Sequence, residues 1–155
     1  FSCIKDDESE TINYINVNSQ IPTFAVEDTA GNTFSSKQFI GKQSLLVFFG
    51  TYCPDCKQIL PVIEEVWKEL KDDPRFLLVT ISRKETAEVV SNYWKENQFT
   101  MPFYLDTRGE VFSLFANNTI PRIYIINPDN EVVWMAVESL DISAKELIQK
   151  IKGLK

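Results

Sequence analysis

The chain has 155 residues, 44% of them hydrophobic with eleven Phe and three Trp, which suits one domain of ordinary size around a packed core. Its net charge of −6 argues against broad nucleic-acid binding, which needs clustered Lys and Arg, and half of that charge sits in the first ten residues, where Asp6, Asp7, Glu8 and Glu10 outweigh Lys5. The absence of histidine removes Ser-His-Asp and Cys-His catalysis and every His-containing metal site, while three cysteines are too few for a disulfide-stapled scaffold. No stretch reaches the roughly 18 apolar residues of a membrane-spanning helix.

Residues 1–20 are polar, with weak apolar periodicity, and read as a flexible tether; the domain is expected over 21–155, from Ile21-Pro22 onward. Phe24, Val26 and Phe34 flank the turn-like Asp28-Thr29-Ala30-Gly31-Asn32, predicting an N-terminal hairpin on the edge of a larger sheet. Leu45-Leu46-Val47-Phe48-Phe49 is apolar without alternation, the pattern of a central strand covered on both faces. It passes through Gly50-Thr51-Tyr52 straight into a helix on which Ile59, Ile63, Val66 and Leu70 recur at helical spacing, closed by Lys71-Asp72-Asp73-Pro74. Phe76 to Ile81 predicts a second buried strand, and Thr86 to Asn97 a second helix with Val90, Tyr93 and Trp94 inward.

Beyond these, Pro102-Phe103-Tyr104-Leu105 reads as a short strand and Val111 to Phe115 as a brief helix. Arg122 to Ile126 and Glu131 to Met135 are β-rich runs about the turn residues Asn127-Pro128-Asp129-Asn130, an antiparallel hairpin. Ser143 followed three residues later by Glu146 is a capping box for a last helix whose Leu147, Ile148 and Ile151 cover the sheet. Strands alternating with helices make this an α/β chain with a central mixed sheet.

The chemistry-bearing motif is Cys53-Pro54-Asp55-Cys56, at a strand-to-helix junction. A thiol is a nucleophile as thiolate, and a helix N-terminus stabilises that anion through unpaired N–H groups and the positive end of its dipole. The spacing brings Cys56 onto the same helix face one turn later, within reach of a mixed disulfide formed at Cys53. Cys53 is thus the expected attacking residue and Cys56 the resolving one. Pro54 suits the first helical turn, and Asp55 favours the helix while repelling the thiolate beside it, which points to a reductant or exchanger rather than a strong oxidant. Half of a zinc site and a structural bridge are the plainer readings of the pair; the missing histidines weigh against the first, the shortness of the loop against the second.

These residues resemble the thioredoxin-like superfamily, and within it the exported TlpA/ResA-like thiol:disulfide oxidoreductases. The resemblance runs from Ile21-Pro22-Thr23-Phe24, Asp28 and Gly31, through Phe48-Phe49-Gly50-Thr51-Tyr52-Cys53-Pro54-Asp55-Cys56-Lys57 and Pro61, to Thr119-Ile120-Pro121 before a strand. It implies a thioredoxin-like fold with an inserted helix and strand between Thr86 and Leu105. It also implies Pro121 as a cis-proline facing the cysteines, Ile120 offering backbone hydrogen bonds to an extended substrate, and Tyr52 and Pro54 flanking that surface. Two positions depart from the family: Val47 stands where thioredoxins keep a buried acid, and Ile59 where ResA-like proteins have a Glu. The proton acceptor is unassigned, with Glu138 a remote candidate and surface charge its plainer role.

Phe1-Ser2-Cys3 resembles the tail of a lipobox, which implies an exported, membrane-anchored lipoprotein lipidated at Cys3; a free thiol in a loose arm is the alternative. The expected protein is therefore a monomeric periplasmic or cell-surface enzyme that needs no metal and no cofactor beyond its own Cys53-Cys56 disulfide. Its partners would be protein thiols and disulfides and an upstream reductant, with no nucleic acid. The rivals are a peroxiredoxin-like thiol peroxidase, against which stand Gly50 and Leu46 where that class has Thr and Pro, a Cu(I)-binding module, and a partner-binding module with an idle site.

Overall fold

The computed structural model describes residues 10–154. A seven-stranded mixed sheet is built from β1 (Ala25–Glu27), β2 (Thr33–Ser35), β3 (Gln43–Phe49), β4 (Phe76–Arg83), β5 (Tyr104–Asp106), β6 (Arg122–Ile126) and β7 (Val132–Val137), in the order β2-β1-β5-β4-β3-β6-β7. Three helices accompany it: α1 (Pro54–Leu70), α2 (Ala87–Asn97) and α3 (Ala144–Lys152). This is a thioredoxin-like fold. Strands β3, β4 and β5 run parallel, while β6 pairs antiparallel with β3, β7 with β6, and β1 with both β2 and β5.

The unbroken apolar run becomes β3, with all seven residues buried between β4 and β6. Because successive strand residues point to opposite faces, Leu45, Val47 and Phe49 enter one core and Leu46 and Phe48 the other. The first core receives the apolar stripes of all three helices: Ile59, Leu60, Ile63 and Val66 of α1, Val90 and Trp94 of α2, and Leu147 and Ile151 of α3. The second is closed without an α-helix, by aromatic rings from the N-terminal hairpin and two 3-10 turns. Phe24, Phe34, Phe39, Phe112, Phe115 and Tyr124 interlock there, mostly edge to face, and Phe48 lies 4.9 Å from Phe115.

The N-terminal hairpin lies on the sheet edge as expected, its turn closed by Asp28, whose Oδ1 accepts from the Ala30 and Asn32 N–H groups, with Gly31 at φ +83°. The strand expected at Pro102 starts two residues later, since Pro102 has no N–H for the ladder and uses its carbonyl to accept from Thr80 Oγ1 at 2.7 Å. The brief helix is a 3-10 turn, Phe112–Leu114, capped by Asp106, whose carboxylate accepts from Val111 and Phe112 N–H. Ser143 caps α3 by accepting from Glu146 N–H at 3.1 Å.

One expectation changes. Residues 10–20 are no loose tether but are hydrogen-bonded to the domain: Asn13 bridges Ala116, Gln20 bridges Glu131, and the N–H groups of Tyr14, Asn18 and Ile21 donate to Phe115, Val132 and Asn130 carbonyls. The polar composition that suggested disorder supplies the partners for this docking. The earlier part of the expected tether, with the proposed lipidation site Cys3, lies outside the described residues.

Candidate active site

Cys53 occupies the N-cap of α1, with extended φ/ψ of −93° and 117°, and Pro54 follows at the first helical position. Its Sγ accepts the Cys56 N–H at 3.1 Å, so the sulfur takes the place that a Ser or Asp oxygen fills at an ordinary cap. Cys56, one turn on, is fully buried, whereas Cys53 sits at the edge of solvent with 9% of its surface exposed. Both are free thiols. Cys53 is therefore the more accessible sulfur of the two and Cys56 the shielded one.

The two thiols are pushed in opposite directions. A hydrogen bond from the Cys56 thiol is the largest influence on Cys53; burial opposes it, the Cys56 and Asp55 N–H groups add to it, and the Asp55 charge works against it, leaving Cys53 lowered to about 7. The same hydrogen bond, then burial, raises Cys56 far above the ordinary thiol range. The Asp55 charge by itself raises Cys53, while its N–H lowers it.

Opposite Cys53 stands the loop before β6. The Ile120–Pro121 peptide is cis, and the Ile120 carbonyl lies 3.9 Å from Cys53 Sγ, a long contact to sulfur. Tyr52 is 58% exposed and Pro54 is exposed, so both flank the cysteine on the open side. Gly50 makes this arrangement possible: a Cβ there would fall 2.6 Å from Tyr52 Cε1 and 3.1 Å from Ile120 Cδ1. The Tyr52 ring and the Ile120 side chain both lie over the glycine, and a threonine at this position would press on both. Cys53, Tyr52, Pro54, Asp55 and Ile120 come together at the surface, with Cys56 and Pro121 buried behind them.

Beneath it the departures from the family have physical content. Val47 and Ile59 are buried in the apolar core under α1, with no acid at either position. Glu138 meets the site by its backbone, donating N–H to the Pro121 carbonyl at 2.8 Å, while its side chain is exposed. A buried carboxylate close to the site that sequence reasoning missed is Glu85. Its Oε1 accepts from Thr51 N–H at 2.9 Å and Ser82 Oγ at 2.6 Å, and its Oε2 accepts from Thr51 Oγ1, which braces the turn leading to Cys53. The available signal was topological: β3 and β4 are parallel, Phe49 pairs with Ser82, and the residues just past both carboxyl ends converge. Among the described residues no group of three or more Cys, Asp or Glu side chains is arranged to hold a metal ion.

Comparison with known proteins places this geometry. Residues 17–135 match the model of the AhpC/TSA family. The thiol-disulfide oxidoreductase ResA of Bacillus subtilis (strain 168) is 30% identical over 119 residues, covering 77% of this chain and 66% of ResA, so the chain spans about two thirds of that relative's length. Among solved structures, a candidate protein disulfide isomerase from Bacteroides thetaiotaomicron superposes with a TM-score of 0.84 at 26% identity, covering 90% of each chain. StoA from Bacillus subtilis superposes at 0.70 with 25% identity, covering 83% of this chain and 96% of StoA. With a cysteine-capped helix, a cis-proline loop opposite it and a family match over most of its length, this chain belongs to the AhpC/TSA family of thioredoxin-like proteins.

Proposed function

We propose that this protein is a thiol:disulfide oxidoreductase that reduces or exchanges disulfides in exported proteins. The observation that carries the reading is the placement of the Cys53 thiol at the N-terminus of α1, beside the Ile120 carbonyl and one turn from the buried Cys56. The Cys53 thiolate attacks one sulfur of a substrate disulfide; the new S–S bond joins Cys53 to the substrate, and the other substrate sulfur leaves as a thiolate and takes up a proton. Cys56 then loses its proton and attacks Cys53 Sγ, which forms the Cys53–Cys56 disulfide and releases the second substrate thiolate. Two electrons pass to the substrate, and an upstream dithiol reductant restores the pair. No cofactor enters this cycle.

Electrostatics supports the reducing direction. A first thiol at about 7 resembles that of thioredoxin, near 7, and stands well above the roughly 3.5 of a strongly oxidising Cys-x-x-Cys protein, so the reduced form gains little from its thiolate. The name of the Bacillus relative, thiol-disulfide oxidoreductase, supports the reaction class. Export, with attachment through a lipidated Cys3, rests on the Ser2-Cys3 pattern. Among the described residues no helix is long and apolar enough to cross a membrane.

The test is the Cys56→Ser variant, in which the mixed disulfide cannot resolve. Covalent adducts with client proteins, released by dithiothreitol, are expected. Absence of adducts, together with stoichiometric consumption of peroxide or binding of Cu(I) by the unmodified protein, would overturn the reading.

A further inference from the structure

Arg122, the residue after cis-Pro121, is fully buried, and the only ion pair among the described residues is the surface pair Arg75–Asp73. A buried guanidinium without a counter-charge is costly, and a well-packed apolar side chain would serve the strand at least as well. What the planar fork supplies instead is simultaneous hold on several acceptors. Nε donates to the Thr119 carbonyl at 2.8 Å, one Nη to the Asn118 carbonyl at 2.8 Å, and the other Nη to Asn13 Oδ1 at 2.7 Å and, more weakly, to Tyr124 Oη at 3.5 Å. All of these are neutral groups, drawn from the loop before the cis-proline, the N-terminal arm and β6.

The loop so held is strained. Thr119 has φ +81°, a region that β-branched residues avoid, and it directly precedes Ile120, whose carbonyl faces Cys53. The arm grips the same segment: Thr11 Oγ1 lies 2.9 Å from Asn118 Oδ1 and 3.1 Å from Thr119 Oγ1, while Ile12 N–H donates to Asn117 Oδ1 at 2.7 Å and Asn117 N–H donates back to the Ile12 carbonyl at 3.2 Å. Segments more than 100 residues apart in sequence are thus tied to one another around the backbone that faces the nucleophile.

We propose that Arg122 and residues 11–13 are positioning residues for substrate: they hold Thr119 and Ile120 in the conformation that receives an extended peptide beside Cys53. The proposal rests on the disulfide-exchange reading above. It makes residues 11–13 a support behind the loop that faces Cys53.

The experiment compares two disulfides, an extended peptide containing one and hydroxyethyl disulfide, which is too small to use the loop backbone. Asn13→Ala, on the partly exposed arm, is expected to raise KM for the peptide disulfide about five- to ten-fold, less than the full worth of a charge-assisted hydrogen bond because Asn13 acts through the loop, with kcat little changed. Its rate with hydroxyethyl disulfide and the pH inflection of the Cys53 thiolate absorbance should stay as in the unmodified protein. Arg122→Met should show the same split, at some cost in unfolding temperature because the Thr119 and Asn118 carbonyls lose their donor, and Arg122→Lys should fall between. Loss of rate on both disulfides in proportion, or on neither, overturns the positioning role. If the Arg122 variants fail to fold, Asn13→Ala decides alone. An unmodified protein inert towards both disulfides overturns the proposed function and this inference with it, whereas an active protein with unaffected variants overturns this inference only.

Discussion

At the scale of single residues, reactivity turns on how two sulfurs share one hydrogen bond. With Cys53 lowered to about 7, its alkylation by iodoacetamide should rise about tenfold per pH unit below that point and level off above it, because only the thiolate reacts. Resolution by Cys56 should keep rising with pH well beyond this plateau. In a mixed disulfide its hydrogen bond to a Cys53 thiolate is gone, but its burial still holds the thiol up, and Val47 offers no acid to take the proton. Stopped-flow measurement of adduct formation and release separates the two steps. Asp55→Asn removes a negative charge that opposes the Cys53 thiolate and leaves the N–H of residue 55 in place, so the inflection should move to lower pH, read from thiolate absorbance, and the reduction potential should become more oxidising. Unchanged values would show that solvent screens this partly exposed carboxylate.

At the scale of elements, α1 carries the site at one end and a structural clamp in its middle. Glu64 is buried and its carboxylate accepts from Thr100 N–H, Thr100 Oγ1 and Met101 N–H, fastening the segment between α2 and β5 onto the active-site helix. Trp94 tightens the same joint by donating Nε1–H to the Met101 carbonyl, and its ring packs in a tilted arrangement 5.1 Å from that of Phe49. Glu64→Ala would leave the buried Met101 N–H without an acceptor and hand the Thr100 N–H to water, and should cost about 1–3 kcal/mol in urea unfolding. The thiol inflection, set by groups at the opposite end of the first turns, should not move. The helices and strands themselves were legible from periodicity and caps: Ser143 and Glu146 mark α3, and Asn127 to Asn130 mark the β6–β7 turn. Glu64 was not legible as a clamp, since a glutamate among helical positions looks the same whether it faces water or two distant N–H groups.

At the scale of the whole molecule, β3 is the shared wall of both cores, so damage to it spreads to the site. Leu45 is fully buried beside Leu78 and Ile125, and Leu45→Ala should lose about 2–5 kcal/mol in the same denaturation assay, through lost burial and a residual cavity. The chain's own order of residues settles a good deal by local physics. An apolar run without alternation is covered on both faces, a Cys-Pro pair at a strand-to-helix junction puts its thiol at the helix N-terminus, and a partner one turn later shares its face. These needed only the 2.0 and 3.6 periods and the chemistry of a helix end. Tertiary structure alone decided which distant groups meet. It brought Glu85 to the turn before Cys53 through the parallel pairing of β3 and β4, and it laid the polar arm, readable by itself only as solvent-loving, along the loop before Pro121. It also buried Arg122, a residue that composition assigns to the surface, because its neutral acceptors lie on segments whose proximity no local period encodes.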